Sequence, residues 1–179
     1  ASQICCEILD PKEGQTVIDV CAAPGGKTFN IAQRLKNKGK ILAFDIYEAK
    51  VNLIKEGANR LGIKIIDASV RNAAESKDKL LLADRVLCDV PCSGLGIIRR
   101  KPEIRYKNEE ILDSLTSLQY RILCNSEKCT KENGSLVYST CTLNPLENSY
   151  IAEKFLREHI DYKPYEIKLP NGIKRGIKE

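Results

Sequence analysis

The chain has 179 residues, 42% hydrophobic and 30% charged, which is the profile of one globular domain able to bury a core. Its net charge of +5, from 29 Lys and Arg against 24 Asp and Glu, permits a polyanionic partner without demanding one. No apolar run approaches the roughly 18 residues of a membrane-spanning helix, and the first residues lack the basic-then-apolar order of a secretory signal, so the expectation is a cytoplasmic chain with no membrane partner.

In chain order, Ser2 to Leu9 reads as a short helix. Thr16 to Val20 is a β-branched apolar run after the turn at Pro11 to Gly14, and it reads as a buried strand. A Pro-Gly-Gly loop follows, then a helix from about Thr28 to Lys36. Lys40 to Ile46 is a second strand, and Glu48 to Leu61 a helix closed near Gly62. Ile63 to Ile66 is a short third strand ending at Asp67. Asn72 to Lys79 is polar and reads as a linker or short helix. Asp84 to Val90 is a fourth strand, stopped by Pro91. Asn108 to Lys131 carries apolar residues at helical spacing, with Asn108 as N-cap. Ser135 to Ser139 is a fifth strand. Asn144-Pro145-Leu146-Glu147 then reads as a cap, a first-turn proline and a Glu three residues on, opening a helix to about His159. Tyr165 to Leu169 could add one more strand.

This alternation implies an α/β fold, a mostly parallel sheet with helices on both faces. Ligands of such sheets sit at the carboxyl ends of the strands. The loop Cys21-Ala22-Ala23-Pro24-Gly25-Gly26-Lys27 lies at one such end. Its small residues let backbone approach a ligand closely, and its glycines can expose N–H groups. The spacing is that of neither a dinucleotide fingerprint nor a phosphate-binding P-loop. Asp45 ends the second strand, where a carboxylate can accept bonds from two ribose hydroxyls. Asp67 ends the third predicted strand and Asp89 the fourth. Any one of these acids could simply cap the helix that follows it. The set together with the Ala-Ala-Pro-Gly-Gly loop favours a nucleoside cofactor.

Eight cysteines accompany one histidine, with no C-x-x-C pair and no clustered zinc-ligand spacing, so no metal is expected. Most of these cysteines read as small buried hydrophobes. Two stand apart: Cys92, in Asp89-Val90-Pro91-Cys92-Ser93-Gly94, and Cys141, in Ser139-Thr140-Cys141-Thr142, each following a strand. A thiolate adding to carbon 6 of a cytosine turns the ring into an enamine, whose carbon 5 can take a methyl group. A carboxyl group near ring N3 and the exocyclic amine can stabilise the adduct, and Asp89 is placed for that. A base must then remove the carbon 5 proton, and a second thiol could assist.

At these motifs the sequence resembles the Sun/NOL1/NOP2 family of RNA cytosine-5 methyltransferases, through Cys-Ala-Ala-Pro-Gly-Gly-Lys, Asp45, Asp67, Asp-Val-Pro-Cys-Ser-Gly, Ser-Thr-Cys-Thr and Pro-Leu-Glu-Asn. The stretch Gly96 to Ile104 is most similar to the bacterial Sun branch, which acts on 16S ribosomal RNA. The resemblance implies a Rossmann-like methyltransferase fold using S-adenosyl-L-methionine. It implies Cys141 as nucleophile and Cys92 as the thiol that aids product release. It also implies cofactor contacts from Cys21, Ala22, Ala23, Pro24, Gly25, Gly26, Lys27, Asp45, Asp67 and Asp89. DNA cytosine-5 methyltransferases attack with the Pro-Cys cysteine, so the second cysteine motif argues for RNA, either ribosomal or transfer. A DNA or small-molecule methyltransferase, or a non-catalytic RNA-binding module, are the other readings. The resemblance implies a single catalytic domain over 1–179, with an N-terminal RNA-binding domain and a final strand outside the chain, and a monomer is expected. Arg99, Arg100, Lys101 and Arg105, with Tyr106 beside them, are the densest basic stretch. Next to the Cys92 loop they could hold RNA phosphates, with Tyr106 stacking on a base.

Overall fold

The computed structural model describes residues 2–75, 81–106, 110–165 and 167. Five strands are described: β1 Thr16–Asp19, β2 Lys40–Asp45, β3 Ile66–Val70, β4 Ala83–Asp89 and β5 Thr130–Ser139. They form one sheet in the order β3-β2-β1-β4-β5, every neighbouring pair parallel. Helices α1 Ser2–Leu9, α2 Gly26–Arg34, α3 Glu48–Arg60, α4 Glu110–Glu127 and α5 Ser149–Glu158 connect and cover it.

The pleat divides the strand residues between two cores. Val17, Ile41 and Leu87 turn to one face and pack with Cys6 and Leu9 of α1 and Ile31 and Ala32 of α2. Ala43 and Ala68 point the same way, against Val51 and Ile54 of α3. Ile18, Leu42, Val86 and Cys88 turn to the other face, against Ile122 and Leu123 of α4 and Ile151 and Phe155 of α5. Both faces are thus covered, as the alternation implied. Leu9, Ile31 and Ile54 are essentially inaccessible, and each such side chain contributes about 2 kcal/mol of burial.

Several expectations shift. β3 begins at Ile66 and runs through Asp67, which pairs with Leu42. β5 begins at Thr130, five residues early. Its pairing with β4 jumps from Ala83–Thr130 to Arg85–Ser135. The extra residues bulge through Asn133, at φ 60°, and Gly134. The segment from Asn144 splits into a 3₁₀ turn, Pro145–Glu147, followed by α5. Asn72 to Glu75 is a turn in which Asn72 Oδ1 accepts from Ala74 N. The rest of that predicted linker, the Asn108 cap and nearly all of the predicted strand from Tyr165 lie outside the described residues, and Tyr165 itself is not in a strand.

Strand order reverses direction between β1 and β4, so the crevice outside their carboxyl ends is where a ligand is expected. Asp19, Asp45 and Asp89 are the last residues of β1, β2 and β4. No helix of the described residues is long and apolar enough to cross a membrane. Nor do any three of their His, Cys, Asp or Glu side chains stand together as metal ligands.

Candidate active site at the strand carboxyl ends

The loop from Cys21 to Lys27 leaves β1 by a turn fastened to the neighbouring strand. Ala22 N donates to Phe44 O at 2.7 Å and Gly25 N to Ala22 O at 2.8 Å, and the Ala23–Pro24 peptide is cis. Gly25 caps α2 at φ 105°, a conformation side chains resist, and a Cβ there would sit 2.5 Å from the Phe29 ring. Gly26 is exposed, and a Cβ there would meet nothing within 4 Å. The α2 N-terminus has no side-chain cap, so its first-turn N–H groups open onto this space. Cys21 is half-buried, and desolvation pushes its thiol far above the ordinary range. It is therefore a packing residue rather than a reactive one.

Asp45 Oδ1 accepts from Tyr47 N at 3.2 Å and lies 3.9 Å from Lys50 Nζ. Asp45 does not cap α3, whose N-cap Tyr47 has no side-chain cap bond. Its bond to Tyr47 N, two residues on, is a local turn that occupies one carboxylate oxygen. Asp89 carries two short bonds: Lys27 Nζ to Oδ2 at 2.6 Å and Ser139 Oγ to Oδ1 at 2.6 Å. Burial opposes the Lys27 charge, but the Asp89 bond and charge outweigh it and its pKa is raised. Lys27 therefore belongs to the acid at the site. Asp19 is 1% exposed; Thr28 Oγ1 bonds its Oδ2 at 2.8 Å, and Oδ1 has no partner.

Asp67 does not sit at this edge. It is the second residue of β3, three before the residue paired with Asp45; its side chain is 63% exposed and lies 3.9 Å from Lys40. The carboxyl end of β3 instead presents Arg71, whose N donates to Asp45 O and whose guanidinium lies over the Phe44 ring at 5.0 Å. Edge position explains the misreading. Asp67, Ser69 and Val70 are exposed while Ala68 is buried, so the second half of β3 carries little apolar signal.

The two cysteines meet. Cys92 Sγ and Cys141 Sγ are 3.1 Å apart, and Cys141 N donates to Cys92 Sγ at 3.3 Å. Among the eight described cysteines, only Cys141 is exposed. Desolvation, then the bond to Cys141, pushes the Cys92 thiol up to about 12. Gly96 N donates to Cys141 O at 3.0 Å, and a Cβ at Gly96 would stand 2.8 Å from that oxygen. The basic loop is thereby anchored on Cys141. Arg99, Arg100, Lys101, Arg105 and Tyr106 are all exposed, Tyr106 at 90%.

Sequence reasoning missed Glu147. The cap–proline–Glu pattern reads it as a helix-opening residue. It is instead fully buried, taking bonds from Ser93 N at 2.8 Å, Ser93 Oγ, Gln119 Nε2 at 2.9 Å and Asn144 Nδ2 at 3.3 Å. Burial opposes its charge, but these donors outweigh it and hold its pKa below the ordinary range. The one signal available was a carboxylate two residues past a proline in a motif shared with the resembled family.

The profile of the 16S rRNA methyltransferase RsmB/F family matches residues 6–179. The chain is 40% identical, over all of its length and 41% of the relative's, to a probable ribosomal RNA small subunit methyltransferase B from Bacillus subtilis. It is 36% identical, over 91% of its length and 52% of the relative's, to a tRNA (cytosine(49)-C(5))-methyltransferase from Pyrococcus abyssi. Among solved structures, NSun6 from Pyrococcus horikoshii with SFG superposes at a TM-score of 0.81 with 34% identity, over 88% of this chain and 40% of that one. The chain thus spans about half or less of the length of these relatives, and the shared portion has the Rossmann-like methyltransferase fold. On the match across nearly its whole length, the chain belongs to the 16S rRNA methyltransferase RsmB/F family.

Proposed function

We propose that the protein of which this chain is the catalytic portion transfers a methyl group from S-adenosyl-L-methionine to carbon 5 of a cytosine in RNA, with small-subunit ribosomal RNA as the leading substrate. The observation that carries the reading is the pair of thiols 3.1 Å apart beside Asp89 at the sheet's carboxyl edge. The names of the relatives, which include both ribosomal and transfer RNA methyltransferases, support the substrate class.

The residues present fit the cofactor. The exposed Gly26, the uncapped α2 N-terminus and Asp45 line one edge, in the order that a nucleoside with a charged tail requires. Backbone from Cys21 to Lys27 would pass beside the tail, and the free Asp45 oxygen would accept from the ribose hydroxyls. The cofactor would supply an electrophilic methyl group bound to a sulfonium. Asp45→Ala is expected to weaken cofactor binding about ten- to a hundredfold, the loss of one or two bonds to a charged acceptor, measured by titration calorimetry on the full-length protein. Unchanged affinity would remove Asp45 from the site.

The roles of the thiols follow from their asymmetry. Cys92, held up at about 12, keeps its proton and can donate it to the neighbouring sulfur. Cys141 is the exposed sulfur of the pair and the one an incoming cytosine can reach. The Cys141 thiolate would bond carbon 6 of a flipped or unpaired cytosine, leaving carbon 5 nucleophilic. Each Asp89 oxygen has a second lone pair beyond its bonds to Lys27 and Ser139. One would accept from the exocyclic amine and the other from ring N3, which takes up the proton that Cys141 gives up on attack. With Cys141 bonded to carbon 6, its contribution to raising Cys92 is gone. After methylation Cys92 would give its proton to solvent and, as thiolate, take the carbon 5 proton. The carbon 5–carbon 6 double bond would re-form as the C–S bond breaks, and Cys141 would leave as thiolate. Arg99, Arg100, Lys101 and Arg105 would hold the RNA phosphates, and Tyr106 would stack on a base.

The test is to incubate the full-length protein with labelled cofactor and ribosomal RNA. Label is expected at cytosine carbon 5, and its absence there overturns the reading. Cys92→Ala is expected to accumulate a covalent RNA adduct that resists denaturing electrophoresis, because attack proceeds and release does not. If that variant forms no adduct, Cys92 is not the releasing thiol.

A further inference from the structure

We infer that Glu147 and Asn148 form a positioning clasp that sets the distance between the two thiols, and that its loss slows release of the methylated RNA more than methyl transfer itself. The inference rests on the cytosine-5 reading and gives a role to residues the chemistry above does not use.

The bonds converge from both sides on the two cysteines. Ser93, next to Cys92, gives its N–H and its hydroxyl to the Glu147 carboxylate. Pro91, on the other side of Cys92, gives its carbonyl to Gln119 Nε2 at 2.9 Å, and the same Nε2 donates to Glu147 at 2.9 Å. Cys92 is thus bracketed by residues tied to one buried carboxylate. Asn148 brackets Cys141 in the same manner: its Oδ1 accepts from Thr140 Oγ1, and its Nδ2 donates to Thr142 O at 3.0 Å. A direct link closes the figure, Ser93 Oγ to Thr142 Oγ1 at 2.7 Å. The Ser93 proton is committed to Glu147, so Thr142 is the donor of that pair. Tyr138 OH fixes the clasp to the sheet by donating to Glu147 O at 2.7 Å.

Adjacent residues of one short turn therefore hold the loops of two different strands. A carboxylate suits the Cys92 side because every partner there is a donor. An amide suits the Cys141 side because it meets one hydroxyl donor and one carbonyl acceptor. Glu147→Gln keeps the volume but sets a donor against donors, so the Cys92 loop must shift. An ångström of misplacement costs a reacting group on the order of a hundredfold. The Cys141 side keeps its Asn148 bonds, so attack and methyl transfer suffer less.

The experiment compares the full-length protein with Glu147→Gln, following first-turnover methyl transfer, steady-state turnover, the trapped RNA adduct and cofactor affinity. The expected result is a ten- to hundredfold drop in steady-state turnover, a first turnover within about threefold, an accumulated adduct, and cofactor affinity within twofold. Ser93→Ala spares the carboxylate but removes the hydroxyl link, and it should show the same split at smaller size. It carries the test if Glu147→Gln does not fold. First and later turnovers falling in parallel, or neither falling, overturns the inference. If the unaltered protein transfers no methyl group to cytosine, the underlying reading fails instead.

Discussion

Cys141→Ala in the full-length protein is expected to lower methyl transfer to cytosine about a thousandfold or more and to leave no covalent RNA adduct, with cofactor affinity within twofold. The size follows from the chemistry. Without a sulfur adding to carbon 6, carbon 5 stays part of an electron-poor aromatic ring, and removing a covalent nucleophile costs enzymes on this order even where binding survives. Cofactor binding should survive because Asp45 and the loop from Cys21 to Lys27 sit on β2 and at the end of β1, whereas Cys141 follows β5. The thiol contributes no packing that the fold requires, since Cys141 is exposed. Labelled methyl transfer and denaturing electrophoresis read the two outcomes. An adduct that persists in Cys141→Ala and vanishes in Cys92→Ala would exchange the roles of the two cysteines.

How much of this was legible before the structure divides along physical lines. Asp45 and Asp89 could be placed at strand ends because β2 and β4 are central strands, buried on both faces, whose apolar runs are legible in the sequence. The meeting of Cys92 with Cys141 was implicit once both were put after neighbouring parallel strands. Asp67 was misplaced because β3 is an edge strand, whose polar second half looks like loop. Glu147 was misread because its partners, Ser93 and Gln119, lie 54 and 28 residues away. A local pattern that fits a helix start carries no information about such partners. Lys27 was seen as part of a loop, and its bond to Asp89, 62 residues on, needs the β1–β4 pairing to be visible.

Asp19 leads to the second large expectation, a fall in stability as pH rises from about 4 to about 7. Its pKa is raised to about 7, chiefly by desolvation, with the Thr28 bond opposing and the Asp89 charge adding. The geometry agrees: the residue is 1% exposed, and one oxygen lacks any partner, an arrangement far costlier for a carboxylate than for a neutral acid. Because the folded pKa lies above the unfolded value of 3.8, the native state binds the proton more tightly. The resulting stabilisation is complete below about pH 4 and is lost as pH climbs through about 7. A shift of about 3 units corresponds to about 4 kcal/mol. Asp84 and Glu147, whose pKa values are lowered, act in the opposite sense and at lower pH, losing stability as acid protonates them. The difference between wild type and Asp19→Asn isolates the Asp19 contribution. The amide can still accept from Thr28 and does not ionise, so the variant should gain about 4 kcal/mol on wild type between pH 4 and pH 8, read by urea unfolding at both. A difference that stays flat with pH would mean that Asp19 is ionised throughout. The protonated state also bears on the site. A neutral Asp19 leaves Lys27 and Asp89 as the charged pair of the crevice, so raising the pH through 7 adds a second negative charge beneath the loop that would carry the sulfonium.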